Sequence, residues 1–204
     1  MIESLKQKAM ESSLIQFSQA LQRKNIEHFV FFGTLLGLTR EGRPIAGDSD
    51  VDFYVNKKDF NLLCNFLTDI GVELDFENHP YHERDLFINI NGTLNETEKI
   101  DVDFYIYDAT SDTNFLLERW NFMAQPNNEE LVLKVPKPLV YPIEFKTYLG
   151  QKIAVPHCPE IICEFLYGIE WRIPQKKVID YDIIIKGGRP LRVLIKDGER
   201  KVIS

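Results

Sequence analysis

Two separate segments of the chain carry one pattern, Asp50-Val51-Asp52-Phe53-Tyr54-Val55 and Asp101-Val102-Asp103-Phe104-Tyr105-Ile106. Side chains alternate between the two faces of a β-strand. Val51, Phe53 and Val55 therefore share one face, with Asp50 and Asp52 on the other. Val102, Phe104 and Ile106 oppose Asp101 and Asp103 in the same way. Each strand packs an apolar face and projects two carboxylates from its reverse. If the strands are neighbours, three or four carboxylates converge, and like charges at close range raise one another's pKa. A divalent cation relieves that cost. Oxygen-only donor sets suit Mg²⁺ or Mn²⁺, and such ions in turn hold phosphate oxygens during displacement at phosphorus. A lone Asp-x-Asp is more often a pair of solvated strand or turn residues; the second acidic strand is what lifts the pair above chance. The flanks of the two segments do not match, so they are not a duplication. DSDVDF also resembles the start of an EF-hand loop, but Phe53 stands where that loop needs Gly and Asp59 where it needs Glu.

Around these strands the pattern is mixed. Residues 3–23 read as an amphipathic helix, with Leu5, Ala9, Leu14, Phe17 and Leu21 near a 3.6-residue period. EHFVFF, 27–32, reads as a strand ended by Gly33, after which Thr34 caps a short helix, TLLGLTR. Residues 57–70 read as a helix stopped by Gly71, VELDF and DLFINI as strands, and TNFLLERWNFM as a short helix. PLVYPIEFKTYLGQKIAVP reads as a hairpin about Leu149–Gly150, and CPEIICEFLYG as a helix with Pro159 in its first turn. Two apolar runs about Gly187–Gly188 form a terminal hairpin. The fold class is α+β.

Gly33 and Thr34 stand where a strand turns into a helix. Gly permits close backbone approach, the first amides of a helix attract phosphate, and Thr34 adds a hydroxyl. Arg40 can fork onto a phosphate. Alone, this is equally a plain strand-to-helix turn with a surface arginine. His79 and His82 read as loop residues rather than metal ligands, and Phe115 and Trp120 as core rather than an aromatic cage for a cation.

The order of the parts resembles the nucleotidyltransferase fold: strand, Gly-Thr, helix, Asp-x-Asp, then a later strand with another Asp. A closer resemblance is to the LicD family, which includes the fukutin-related transferases. GTLLGLTREGRPIAGDSDVDFYV is similar to that family's opening motif and VDFYIYD to its second acidic strand. LGQKIAVPHCPE followed by YGIEWRIP resembles its later signature, here Tyr167, Gly168, Trp171, Arg172 and Pro174. The likeness spans about residues 27–175. The chain departs from the family in having Ala46-Gly47 where Pro-Trp is frequent, and Ser49 interrupts the acidic run beside Asp48. The tail has no counterpart in the family.

The resemblance implies a mixed sheet flanked by helices over 1–178; the apolar runs of 179–204 are expected to add a β extension packed on the same domain. It implies a metal-dependent phosphotransferase that moves a phospho-alcohol, such as phosphocholine or ribitol phosphate, from a CDP-activated donor to a sugar hydroxyl of a surface glycan of the lipopolysaccharide or capsule kind. Asp50, Asp52 and Asp103 would hold Mg²⁺ or Mn²⁺, with Asp103 or Asp101 as general base. Gly33, Thr34, Arg40 and Arg172 would contact donor phosphates; Trp171 and Arg172 equally fit as packing at a helix end. A choline donor would call for an aromatic box, which Tyr54, Tyr105 or Tyr107 can supply. The alternatives are a nucleotidyltransferase that places a nucleoside monophosphate on a small molecule or protein, and a catalytically dead binding module, against which the intact acids argue.

Charge and cysteine use narrow the setting. With 24 Lys and Arg against 31 Asp and Glu, the net charge is -7, which disfavours general nucleic-acid binding. Cys64, Cys158 and Cys163 fit reduced thiols. No apolar run is long enough for a membrane anchor and no leader is evident, so the expected location is the cytoplasm.

Overall fold

The computed structural model describes residues 5–78, 82–91, 100–119, 132–174, 181–186, 189–196 and 199–202. The chain opens with helix α1 (Leu5–Arg23), strand β1 (His28–Val30), helix α2 (Phe32–Arg40) and strand β2 (Asp50–Asn56). A 3₁₀ turn, Lys57–Asp59, leads into α3 (Phe60–Asp69). Strands β3 (His82–Glu83), β4 (Phe87–Asn91), β5 (Asp101–Asp108), β6 (Phe115–Arg119) and β7 (Val132–Pro136) follow, then α4 (Lys137–Val140). The hairpin β8 (Glu144–Tyr148) and β9 (Gln151–Val155) precedes α5 (Pro159–Tyr167), and the tail forms β10 (Tyr181–Lys186), β11 (Arg189–Lys196) and β12 (Glu199–Val202).

The two acidic segments are the centre of the main sheet. Its order is β1-β2-β5-β4-β3, with β6 pairing β5 and β7. β2 and β5 run parallel with the repeat in register: Asp50 opposite Asp101, Asp52 opposite Asp103, Phe53 opposite Phe104. The apolar faces fix that register. Phe53 and Phe104 stack at 5.8 Å between ring centres, and Phe17 of α1 meets Phe104 at 6.0 Å and Phe66 of α3 at 6.3 Å. Burying each such ring stabilises the fold by roughly 1.5–3 kcal/mol, and a slip of one residue would exchange the rings for carboxylates. On the acid-bearing face the next rows along the strands are aromatic: Tyr54, Tyr105 and Tyr107, backed by Phe29 and Phe31. Helix α2 lies against β2 and α5, and β11 lies against α5.

Several expectations are revised. β1 stops at Val30, and α2 begins at Phe32, so Gly33 and Thr34 lie inside the helix; Phe31 takes the cap position and makes no side-chain cap. VELDF forms no strand. The stretch expected as a helix is strand β6, because Glu118 and Leu117 pair with Tyr107 and Asp108 of β5 and the segment then pairs with β7; Trp120 and the residues after it lie outside the described residues, as does His79. The β8–β9 hairpin turns at Leu149 and Gly150, both with positive φ, 47° and 75°. In the tail, β10 and β11 form the expected hairpin and β12 extends it to three strands.

Candidate active site

The parallel register of β2 and β5 puts Asp50, Asp52 and Asp103 side by side. One ligand atom from each lies within 4.8 Å of the others. Asp52 and Asp103 are buried, at 5% and 8% exposure, and Asp50 is half-buried. Burial first, then the neighbouring charges of Asp50 and Asp103, pushes the Asp52 carboxyl well above the usual carboxylate range. Burial likewise raises Asp103, to about 7; the Asn89 hydrogen bond pulls it back, while Asp50 and Asp101 add repulsion. Buried carboxylates that repel one another across a few ångströms are a donor set that a hard divalent cation satisfies. Three oxygen ligands from two adjacent strands fit Mg²⁺ or Mn²⁺, and the triad can hold such an ion. Asp101 projects from the same face of β5 one pair further out and is exposed.

Helix α2 is built onto this cluster. Phe32 adopts φ 41°, a conformation that bulky residues rarely take, and so turns the chain from β1 into α2 within one residue. The Phe31 amide donates to the Asp52 carbonyl at 3.1 Å, which pins the start of the helix over β2. Thr34 then clasps Asp52. Its amide donates to Asp52 Oδ2 at 3.1 Å, its hydroxyl lies 3.4 Å from the same oxygen, and the Asp52 amide donates to Thr34 Oγ1 at 2.8 Å. The helix-start amide at Thr34 thus serves a carboxylate of the protein itself, a favourable place for negative charge.

The two glycines of GTLLG have separate jobs. A Cβ on Gly33 would sit 3.2 Å from Asp48 Oδ2 and 3.4 Å from Asp52 Oδ2, so Gly33 makes room for carboxylates. A Cβ on Gly37 would sit 2.7 Å from the Arg43 carbonyl oxygen and 2.8 Å from the Ile45 amide nitrogen. Gly37 therefore lets the return loop lie along α2 and deliver Asp48 and Asp50 to the start of that helix. Asp48 faces Asp52 closely enough to raise its pKa further.

Arg40 and Arg172 are placed elsewhere. Arg40 closes α2, pairs with Glu41 at 2.6 Å and reaches the Trp171 carbonyl at 3.5 Å. Arg172 pairs with Glu160 at 2.6 Å, stacks over the Trp171 ring at 4.2 Å, and is exposed. The two arginines meet at buried Trp171 rather than at the carboxylates. Tyr54 and Tyr107 are fully buried, with hydroxyls bound to Glu118 and Glu27, which leaves Tyr105 as the half-buried tyrosine of that row.

Two side chains escaped the sequence reading. Asn89 of β4 donates to Asp103 Oδ1 at 2.6 Å. Glu118 of β6 is buried at 1% exposure on the aromatic row, where it receives the Tyr54 hydroxyl. The alternation in DLFINI was a usable signal for Asn89; Glu118 was hidden by reading its segment as helical.

Residues 25–158, well over half of the chain, match a family model described as LicD/FKTN/FKRP, nucleotidyltransferase domain. Among solved structures the chain is similar to the lincosamide antibiotic adenylyltransferase LnuA with lincomycin bound. The two are 12% identical over 72% of this chain and 79% of that one, with a TM-score of 0.50, a likeness of fold. No curated protein matches the chain.

Proposed function

The chain belongs to the LicD/FKTN/FKRP nucleotidyltransferase-domain family, and from that premise we propose that it is a phosphotransferase acting on a CDP-activated donor. It would move a phospho-alcohol, phosphocholine or ribitol phosphate, to a sugar hydroxyl of a surface glycan. The observation that carries this reading is the meeting of Asp50, Asp52 and Asp103 within 4.8 Å on two parallel strands. No helix among the described residues is long and apolar enough to cross a membrane, and we place the reaction in the cytoplasm.

In this reading Asp50, Asp52 and Asp103 hold Mg²⁺ or Mn²⁺, which when bound neutralises charge on the donor diphosphate. The Thr34 amide holds Asp52 in place and favours its ionised form against the burial that opposes it. Asp101, exposed beside Asp103, accepts the proton of the acceptor hydroxyl. That oxygen forms a bond to the phosphorus bearing the alcohol, the bond from this phosphorus to the bridging oxygen breaks, and CMP leaves. Gly33 leaves room for the Asp48 and Asp52 carboxylates against the start of α2. Arg40 and Arg172, grouped about Trp171, serve more distant negative charge on the donor or acceptor.

The test is product analysis. The protein is incubated with Mg²⁺ or Mn²⁺, a sugar acceptor, a panel of CDP-alcohols and the four nucleoside triphosphates, beside Asp50→Asn. CMP released from one CDP-alcohol, and lost in the variant, is the expected result. Pyrophosphate from a triphosphate would replace this reading with nucleotidyl transfer.

A further inference from the structure

Asn89 lies directly across from Asp103 in the antiparallel pairing of β4 and β5, so both side chains stand on the acid-bearing face. β5 is flanked there by β2, which supplies the carboxylates Asp50 and Asp52, and by β4, which supplies this amide. The Asn89 Nδ2 donates to Asp103 Oδ1 at 2.6 Å. The acceptor is a carboxylate, so the amide must present its NH₂ group to it. Asn carries no charge and cannot neutralise the cluster; what it can do is fix a direction. On its β2 side Asp103 meets charges that repel it, and a carboxylate on a strand turns easily about its two side-chain torsions. A short hydrogen bond from the β4 side holds it against that repulsion.

We propose that Asn89 is a positioning residue, which holds the Asp103 carboxylate in the orientation that joins Asp50 and Asp52 around a divalent cation. The proposal rests on the metal-binding reading of the triad given above. Partners of this kind, which touch the ligand but not the metal, change metal affinity by about 10–100-fold when removed.

The experiment is Mn²⁺ titration of the full chain, followed by the electron paramagnetic resonance of free Mn²⁺, with the metal-free melting temperature measured alongside. The proteins are wild type, Asn89→Ala, Asn89→Leu and Asp52→Asn. Asn89→Leu keeps about the same volume at a half-buried strand position and removes the polar amide, so a packing role would leave it like wild type. Both Asn89 variants are expected to bind Mn²⁺ about 10–100-fold more weakly, with Asn89→Leu melting near wild type without metal. Affinities within about threefold of wild type in Asn89→Leu would overturn the proposal, because the partner effect would then be missing. A wild type that binds Mn²⁺ no better than Asp52→Asn would instead overturn the metal reading beneath it.

Discussion

Asp52 is buried, its carboxylate receives the Thr34 amide and hydroxyl, and it is faced by Asp50, Asp103 and Asp48. Its raised pKa means that the folded protein resists its ionisation, and a cation reverses that preference. Asp52→Asn removes one charge from the cluster while leaving an oxygen for the Thr34 amide. Without metal the variant is expected to melt higher than wild type, by about 2–4 °C for each kcal/mol of repulsion relieved. Its metal-induced shift should vanish. Differential scanning calorimetry in EDTA and in Mn²⁺ measures both; a retained Mn²⁺ shift would remove Asp52 from the site. The acids were legible in the sequence because alternation alone assigns them a face. The roles of Gly33 and Thr34 were legible in place but not in detail. The approach that Gly33 permits is that of Asp48 and Asp52, and the Thr34 hydroxyl serves Asp52 rather than a helix cap. Asn89 was legible only as a position on one face of DLFINI; its partner depends on which strand lies beside β5.

Helix α2 and the loop after it work as one unit. The helix starts over β2, and the loop returns along it so that Asp48 and Asp50 arrive beside its first turn. Gly37 makes the return path, with loop backbone where a Cβ would be, at 2.7 and 2.8 Å. Neither of those atoms can turn aside as a side chain would. Gly37→Ala is therefore expected to cost about 1–3 kcal/mol of stability, read as a lowered denaturation midpoint with or without metal. Gly33→Ala differs in kind. Its new methyl would press on two carboxylate ends that can shift, at 3.2 and 3.4 Å. It should keep the denaturation midpoint within about 1 kcal/mol of wild type and lose metal affinity and turnover instead. If the two variants behaved alike in both assays, this division of labour would be wrong. The sequence revealed the Gly-Thr element but not this division, since the close approach at Gly37 comes from a loop without periodic pattern. The β6 error has a similar origin: a short apolar run with one Glu reads as helix or strand until its partner strand is known.

The end of the molecule away from the acids is tied together by Glu27. Its Oε1 receives the Tyr107 hydroxyl at 2.8 Å, the Tyr141 hydroxyl at 2.7 Å and the Asn56 amide at 2.8 Å, and Lys58 meets its other oxygen. These partners come from the end of β2, the 3₁₀ turn after it, β5 and the segment after α4, so one carboxylate joins elements far apart in the chain. Burial works against its charge, but the hydrogen bonds from Lys58, Asn56, Tyr141 and Tyr107 prevail and bring the carboxyl down to about 2 from an ordinary 4.5. A carboxylate depressed on folding stabilises the protein fully above its unfolded pKa. That contribution shrinks as pH falls from about 4.5 toward 2, because the unfolded chain takes up the proton first. Glu27→Gln should therefore lower stability at pH 7 by about 1–2 kcal/mol, after allowance for solvent screening. The gap to wild type should close as pH is lowered through that window. Urea denaturation midpoints at several pH values, in EDTA so that the metal cluster does not contribute binding, measure it. A gap that stayed constant with pH would mean that Glu27 acts by packing. A gap that closes would establish that the sheet is clamped by one ionised group at the opposite end from the acids, and that acid loosens the fold there.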